Sequence, residues 1–234
     1  MAKVVSKVNG KFIFVTGGAR SGKSAFAEKM ALASGKKVVY LATATVEDEE
    51  MAQRVERHRQ RRPPSWETVE EPCDLAGVIA RHNSPAKFIL IDCLALFLNN
   101  LLRTGGAPAG EKNSFARADE KRVLDAIRLL GETIRKSPAD ILVVTNEVGW
   151  GLVPAYPLGR LYRDLLGMAN QQLAALADAV YLVVSGLPLQ IKPDPHRATP
   201  APLPAPAANT CFRSGGAPPG ERKIRPAPEN SRRP

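Results

Sequence analysis

The eight residues Gly17-Gly18-Ala19-Arg20-Ser21-Gly22-Lys23-Ser24 match G-x-x-x-x-G-K-[ST] at every fixed position. A glycine-rich turn of this kind lets backbone N–H groups wrap a polyphosphate, and a following helix adds the positive end of its dipole. In that arrangement Lys23 reaches the β- and γ-phosphates and the Ser24 hydroxyl ligates Mg2+. Chance supplies such a match in on the order of one chain in a hundred, so a turn without a ligand is the weaker reading. A second signal is Phe88-Ile89-Leu90-Ile91-Asp92, an apolar run ending in a carboxylate. At the C-terminal edge of a parallel sheet Asp92 can complete the metal site with Ser24. Without the glycine-rich turn, the same pattern reads equally well as ordinary strand-to-turn punctuation.

An arginine-rich segment, residues 46–62, carries Met51, Val55 and His58 at i, i+4 and i+7, which puts the histidine on the only apolar stripe of a helix. Arg54, Arg57, Arg59, Arg61 and Arg62 surround it. By periodicity alone His58 reads as a packed, hydrogen-bonded core residue. An inward histidine among cations also suits contact with a phosphate, or attack on one. Further on, Thr145-Asn146-Glu147-Val148-Gly149-Trp150-Gly151 brings polar groups and an aromatic to a strand exit, where ligands bind in α/β folds. Arg160, Arg163, Asp164, Asn170 and Gln171 follow on the next helical stretch.

The elements that position these groups alternate. Aliphatic runs at 12–16, 38–42, 88–92, 141–145 and 180–184 read as strands buried on both faces, and 24–34, 47–61, 119–136 and 157–177 read as helices. Alternation of this kind predicts an α/β fold of the P-loop NTPase type, a mainly parallel sheet flanked by helices. Residues 103–116 read as a surface loop. The 234 residues divide into an N-terminal extension at 1–10, one domain at 11–192 and a tail at 193–234. The tail holds 11 of the 20 prolines and has too few aliphatic residues to offset its ordering entropy, so a disordered basic segment is expected there.

The formal charge of +10 favours an anionic partner. No nucleic-acid-binding motif is present, and part of the charge lies in the tail, so a specific nucleic-acid partner is not expected. Cys73, Cys93 and Cys211 make an odd set without C-x-x-C spacing, which fits a reducing compartment such as the cytoplasm. The longest apolar stretch, 88–98, is interrupted by Asp92 and is too short to span a membrane.

Taken together, the segments GGARSGKS with Ala27-Glu28, YLATA, RVERHRQRRP, WETVEEP, LIDCLALFLNNLL, VTNEVGWGLVP and VYLVVSGLPLQIK resemble the bifunctional adenosylcobinamide kinase / adenosylcobinamide-phosphate guanylyltransferase family of cobalamin biosynthesis. The resemblance spans about residues 11–192. It implies two steps. A nucleoside triphosphate, ATP or GTP, phosphorylates adenosylcobinamide; GTP then passes GMP through a protein histidine to the phosphorylated corrinoid. The family's guanylylated histidine falls on His58, which overrides the core reading. Its nucleotide contacts fall on Gly17 to Ser24, on Ala42, Thr43 and Ala44, on Arg59, Gln60, Arg61 and Arg62, and on Glu70 and Asp92. A homo-oligomer, a trimer, is also implied. Nearby guanidinium groups disfavour protonation of a nucleophilic imidazole and stabilise charge on an α-phosphate. Glu70 suits the paired N–H donors of guanine, with Glu71 its nearest competitor. The plainer alternative is a P-loop kinase of another small molecule, which has no use for a nucleophilic histidine.

Because the tail lies beyond the last expected strand, deletion of residues 193–234 is expected to leave the fold and both activities intact. Far-UV circular dichroism, thermal melting and turnover of the truncated chain check this; precipitation or lost turnover would make the tail structural.

Overall fold

A computed structural model of the chain describes residues 9–45, 48–104 and 117–193. Residues 1–8 of the N-terminal extension, 105–116 of the surface loop and 194–234 of the tail lie outside the described residues, as do 46 and 47. Seven strands form one sheet in the order β3-β2-β4-β5-β1-β6-β7. β1 (Phe12–Thr16), β2 (Lys37–Ala42), β3 (Glu67–Glu70), β4 (Lys87–Asp92), β5 (Asp140–Val144) and β6 (Ala179–Val184) run parallel. β7 (Leu187–Lys192) returns antiparallel along β6. The connections hold α1 (Lys23–Ala33), α2 (Glu49–Gln60), α3 (Leu75–Arg81), α4 (Leu94–Thr104), α5 (Arg117–Lys136) and α6 (Pro157–Leu176). None of the described helices is long and apolar enough to cross a membrane.

The five expected strands and four expected helices are all present, with ends shifted by a residue or two. α2 begins at Glu49 because the Asp48 carboxylate accepts the Met51 N–H at 2.7 Å and caps the first turn. Four elements escape the sequence patterns. β3, Glu-Thr-Val-Glu, is a mostly exposed strand at the sheet edge and has no apolar run. β7 is the opposite edge, with a proline that an edge strand tolerates. α3 is a seven-residue helix, too short for a period. α4 hides in the apolar stretch 88–98, whose first half is β4 and whose second half is helix; both halves are buried, so hydrophobicity does not separate them.

Parallel strands with nearly every side chain buried build the core: Phe12, Phe14, Tyr40, Leu41, Ile89, Leu90 and Ile91 are among its largest members. The same register brings the strand exits together. Ala42, Asp92 and Val144 are aligned across β2, β4 and β5, and Val15 pairs with Val144. The loop after β1, the helix after β2 and the carboxylate ending β4 therefore share one sheet edge. α4 is tied to that edge by Asn100, which is buried and donates through Nδ2 to Thr43 O at 2.8 Å and to Pro72 O at 3.2 Å.

Asn100→Ala would leave both carbonyls without this donor, and a stability loss of about 1–3 kcal/mol is expected as a lower urea midpoint with unchanged slope. Leu129→Ala, at an exposed position on α5, is expected to stay within about 0.5 kcal/mol.

Candidate active site

The glycine-rich turn folds as a phosphate cradle. Gly22 caps α1 in the left-handed conformation at φ 95°, and no side chain caps the helix. The first turn of α1 carries no acidic residue. Its leading N–H groups are therefore left for an external anion. Gly17 is needed for space, because a Cβ there would stand 2.5 Å from Val183 O and 2.7 Å from Ser21 Oγ. Two neighbouring segments pin the loop: Glu147 N–H donates to Gly17 O at 3.0 Å and Gly186 N–H to Ser21 O at 2.8 Å. Lys23 is buried and donates to Gly18 O at 2.9 Å, which folds its side chain back over the loop. Ser21 Oγ is buried with no hydrogen-bond partner.

Two cavities meet at this loop. One, of about 350 Å3, is lined by Lys23, Ser24, Ala42, Ala44, Asp92 and Glu70 together with Tyr40, Arg59, Arg62 and Asn146. The other, of about 610 Å3, is lined by Arg20, Ser21, Gly22, Lys23, Ser24, Arg57, Gln60 and Arg61. Among the described residues, only Lys23, Ser24 and His58 line both. Among the described residues the second cavity has cationic side chains and no carboxylate; the first mixes carboxylates with apolar surface from Met51, Val55 and Leu96. Met51, Val55 and His58 do share one face of α2, as their spacing requires, but that face covers the cavity and is not core. The His58 side chain keeps 28% exposure.

Around His58 the partners are specific. Arg61 Nη2 lies 3.3 Å from Nδ1, and because a guanidinium only donates, Nδ1 is the acceptor of that contact. The same Nη2 reaches Glu28 Oε1 of α1 at 3.2 Å. Burial pushes the Glu28 carboxyl above its ordinary range, with Arg61 opposing. Asp92 Oδ2 stands 4.0 Å from Nδ1 and accepts the Tyr40 hydroxyl at 2.8 Å. Tyr40 is fully buried, and burial followed by the neighbouring Asp92 raises its phenol well above the usual value, so it stays a donor. The Arg62 guanidinium lies 3.6 Å over the Tyr40 ring, and the Trp66 ring stacks on Tyr40 at 6.3 Å. Arg62 Nε is buried without a hydrogen-bond partner.

The remaining expected residues fall into distinct places. Ala42 and Ala44 line the smaller cavity, whereas Thr43 is buried with its hydroxyl bonded to Cys93 O and to Cys93 N–H, both at 2.8 Å, so it braces the cavity wall. Gln60 pairs with Glu56 at 3.0 Å on the rim of the larger cavity. The carboxylate of Glu70 is joined to Arg59 across the mouth of the smaller one. Glu71 caps the turn before α3, accepting from Cys73 N–H and Asp74 N–H at 2.9 and 2.8 Å, and does not line either cavity. Gly18, Ala19 and Arg20 form the exposed turn of the phosphate loop. The Arg54 side chain lies outside the described residues. Asn170 of α6 accepts from Thr145 Oγ1 at 2.8 Å and donates to Asn146 O at 3.1 Å, holding the exit of β5. Cys93 is inert as a nucleophile, since burial pushes its thiol up to about 12.

Glu28 and Tyr40 are the site residues that motif reasoning passes over. Tyr40 leaves a trace in the sequence: a tyrosine inside a strand buried on both faces must find a partner for its hydroxyl. Glu28 stands in the pair Ala27-Glu28 with no role attached to it, because its partner Arg61 comes from the end of another helix.

Comparison with known proteins adds the following. The model of the family described as cobinamide kinase / cobinamide phosphate guanyltransferase matches residues 13–191. The bifunctional adenosylcobalamin biosynthesis protein CobU of Escherichia coli (strain K12) is 42% identical over 180 residues, covering 77% of this chain and 99% of that protein. The bifunctional adenosylcobalamin biosynthesis protein CobP of Pseudomonas aeruginosa is 40% identical over 182 residues, covering 77% and 97%. Among solved structures, the RadB recombinase aligns with a TM-score of 0.39 at 18% identity, over 75% of this chain and 74% of that one. The match to the family model takes in the phosphate loop, the arginine-rich helix, Asp92 and the β5 exit, and with relatives at 40–42% identity over 77% of its length the chain belongs to the cobinamide kinase / cobinamide phosphate guanyltransferase family.

Proposed function

We propose that the chain phosphorylates adenosylcobinamide from a nucleoside triphosphate and then guanylylates the product through His58. The observation that carries this reading is the position of His58 at the wall common to both cavities, beside Lys23 and Ser24. In it, the triphosphate lies along the phosphate loop, with its charge met by the N-terminus of α1, Lys23 and the cationic lining of the larger cavity. The nucleoside enters the smaller cavity, where Glu70 offers a carboxylate to the guanine N1–H and N2–H once it gives up Arg59. Ser21 Oγ and Arg62 Nε, buried without protein partners, are groups that a bound nucleotide would satisfy.

In the first step the acceptor hydroxyl attacks the γ-phosphorus, the bond to the β-phosphate oxygen breaks, the nucleoside diphosphate leaves, the hydroxyl proton passes to water, and adenosylcobinamide phosphate forms. This transfer asks for positioning and charge neutralisation more than for covalent help. In the second, a ring nitrogen of His58 attacks the α-phosphorus of GTP, a P–N bond forms, and pyrophosphate leaves. A phosphate oxygen of the corrinoid then attacks the same phosphorus, the P–N bond breaks, and adenosylcobinamide-GDP is released. Arg61, whose Nη2 lies beside Nδ1, can turn its fork to the α-phosphate. Asp92, held by Tyr40, is placed to stabilise the positive charge that develops on the imidazole as it attacks. The Ser24 hydroxyl and the Asp92 carboxylate line one cavity and form a hard oxygen donor pair that fits Mg2+. Bound there with phosphate oxygens and water, the ion would neutralise charge on the β- and γ-phosphates. Among the described residues no group of three His, Cys, Asp or Glu could hold a metal by itself.

Two variants test the reading. With one phosphate loop serving both steps, Lys23→Ala is expected to impair both by at least about tenfold. A full rate of guanylyl transfer in that variant would require a second GTP site. His58→Ala is expected to separate them: radiolabelled GTP gives an acid-labile, alkali-stable adduct on the parent chain and none on the variant, while adenosylcobinamide phosphate accumulates. His82 is the control. It sits with Glu67 and Lys87 at the starts of β3 and β4, the opposite sheet edge, with Nδ1 2.7 Å from Lys87 Nζ. An adduct that survives His58→Ala and is lost in His82→Ala would refute the residue assignment. No adduct on the parent chain would leave the plain kinase.

A further inference from the structure

The segment after β5 starts inside the nucleotide site and ends as the most exposed apolar surface near it. Asn146 lines the smaller cavity, and Glu147 N–H is bonded to Gly17 O of the phosphate loop. Val148 packs against the core. Then Trp150, Leu152 and Val153 stand in water at 77%, 96% and 63% exposure. The segment is braced on either side of these residues. Gly149 N–H donates to Glu147 Oε1 at 2.8 Å, and Arg160 of α6 donates to Pro154 O at 3.1 Å and Ala155 O at 2.7 Å. Tyr156 lies against Gly159, where a Cβ would come within 2.7 Å of its ring.

We infer that Trp150, Leu152 and Val153 form the platform on which the corrin ring of the acceptor substrate rests, with its aminopropanol arm directed past Asn146 to the phosphates. The inference rests on the function proposed above. The phosphate loop sets where the γ-phosphate lies, and the acceptor hydroxyl must approach it from outside the nucleotide. Trp150 is four residues from Asn146, which lines the smaller cavity, so the two Cα atoms stand no more than about 14 Å apart. A corrinoid is a broad, nearly flat ring with apolar faces and an amide-bearing edge. An exposed indole and two aliphatic side chains on a fixed loop suit such a face, and pre-organisation lowers the ordering entropy of binding. A second copy of the chain is the other candidate occupant. A change of mass in the variants would reveal that occupant, whereas a change in corrinoid KM alone points to the substrate.

Steady-state kinetics of Trp150→Ala and Leu152→Ser in the full chain test the platform. Both are expected to raise KM for adenosylcobinamide about tenfold while KM for the nucleotide keeps its parent value. Binding should also quench the emission of the parent chain, whose two tryptophans are Trp66 and Trp150, and the part of that quenching due to Trp150 should be missing from Trp150→Ala. Nucleotide binding and thermal melting confirm that each variant is folded. A parent chain that binds the corrinoid, with variants that bind it equally well, overturns the platform and leaves the proposed function standing. Unchanged corrinoid KM together with a smaller mass by light scattering overturns it in favour of a contact between copies. A parent chain that neither binds nor phosphorylates the corrinoid overturns both.

Discussion

A triphosphate carries several negative charges on a few ångströms of chain, and it can be held close to a protein only where fixed donors already face it. The loop Gly17–Ser24 meets that constraint with backbone. Gly22 turns into the left-handed region, α1 starts without a side-chain cap, and its N–H groups stay open. Everything else near the site is arranged around this. The loop must leave a buried strand, so β1 stands inside the sheet between β5 and β6. It must be held rigidly, and it receives bonds from the exits of β5 and β6 through Glu147 and Gly186. A parallel sheet then collects the other exits on the same edge, where they can be used.

The second feature is the arrangement around His58. Arg61, backed by Glu28 of α1, and Asp92, backed by Tyr40 of β2, approach the same ring nitrogen. One is a donor with fixed positive charge and the other an acceptor, so the ring sits between groups of opposite charge. Each of the two is held by a residue from a different element. Such a double brace limits the conformations of long side chains, and it makes the site sensitive to changes that never touch a nucleotide.

Apolar surface is distributed in an equally purposeful way. Met51 and Val55 of α2 cover the smaller cavity, and Trp150 with Leu152 lies outside any core. An amphipathic stripe was readable from the spacing of Met51, Val55 and His58, yet periodicity could not say whether the stripe meets a core or a ligand space. Both bury the same side chains to a similar degree from the viewpoint of sequence.

Short-range chemistry is what the sequence by itself determined. The glycines, Lys23 and Ser24 declare a phosphate loop because only that spacing brings backbone, cation and hydroxyl to one anion. Five aliphatic runs declare a parallel sheet because only strands covered on both faces are apolar throughout. The apolar run of β4 ending in a carboxylate pointed to Asp92, and the resemblance pointed to His58 and Glu70. Tertiary structure decided what depends on partners far apart in the chain. It made Thr43 a brace and Glu71 a cap, joined Glu70 to Arg59, and brought Glu28 and Tyr40 to the site through Arg61 and Asp92. It also divided the apolar stretch 88–98 between β4 and α4, and it added β3 and β7 at the edges, where pairing with a neighbour and not hydrophobicity makes a strand. A side chain's type is local, but its hydrogen-bond partner is chosen by the whole fold, because only the packed sheet fixes which strand exits and helix faces come within 3 Å of one another.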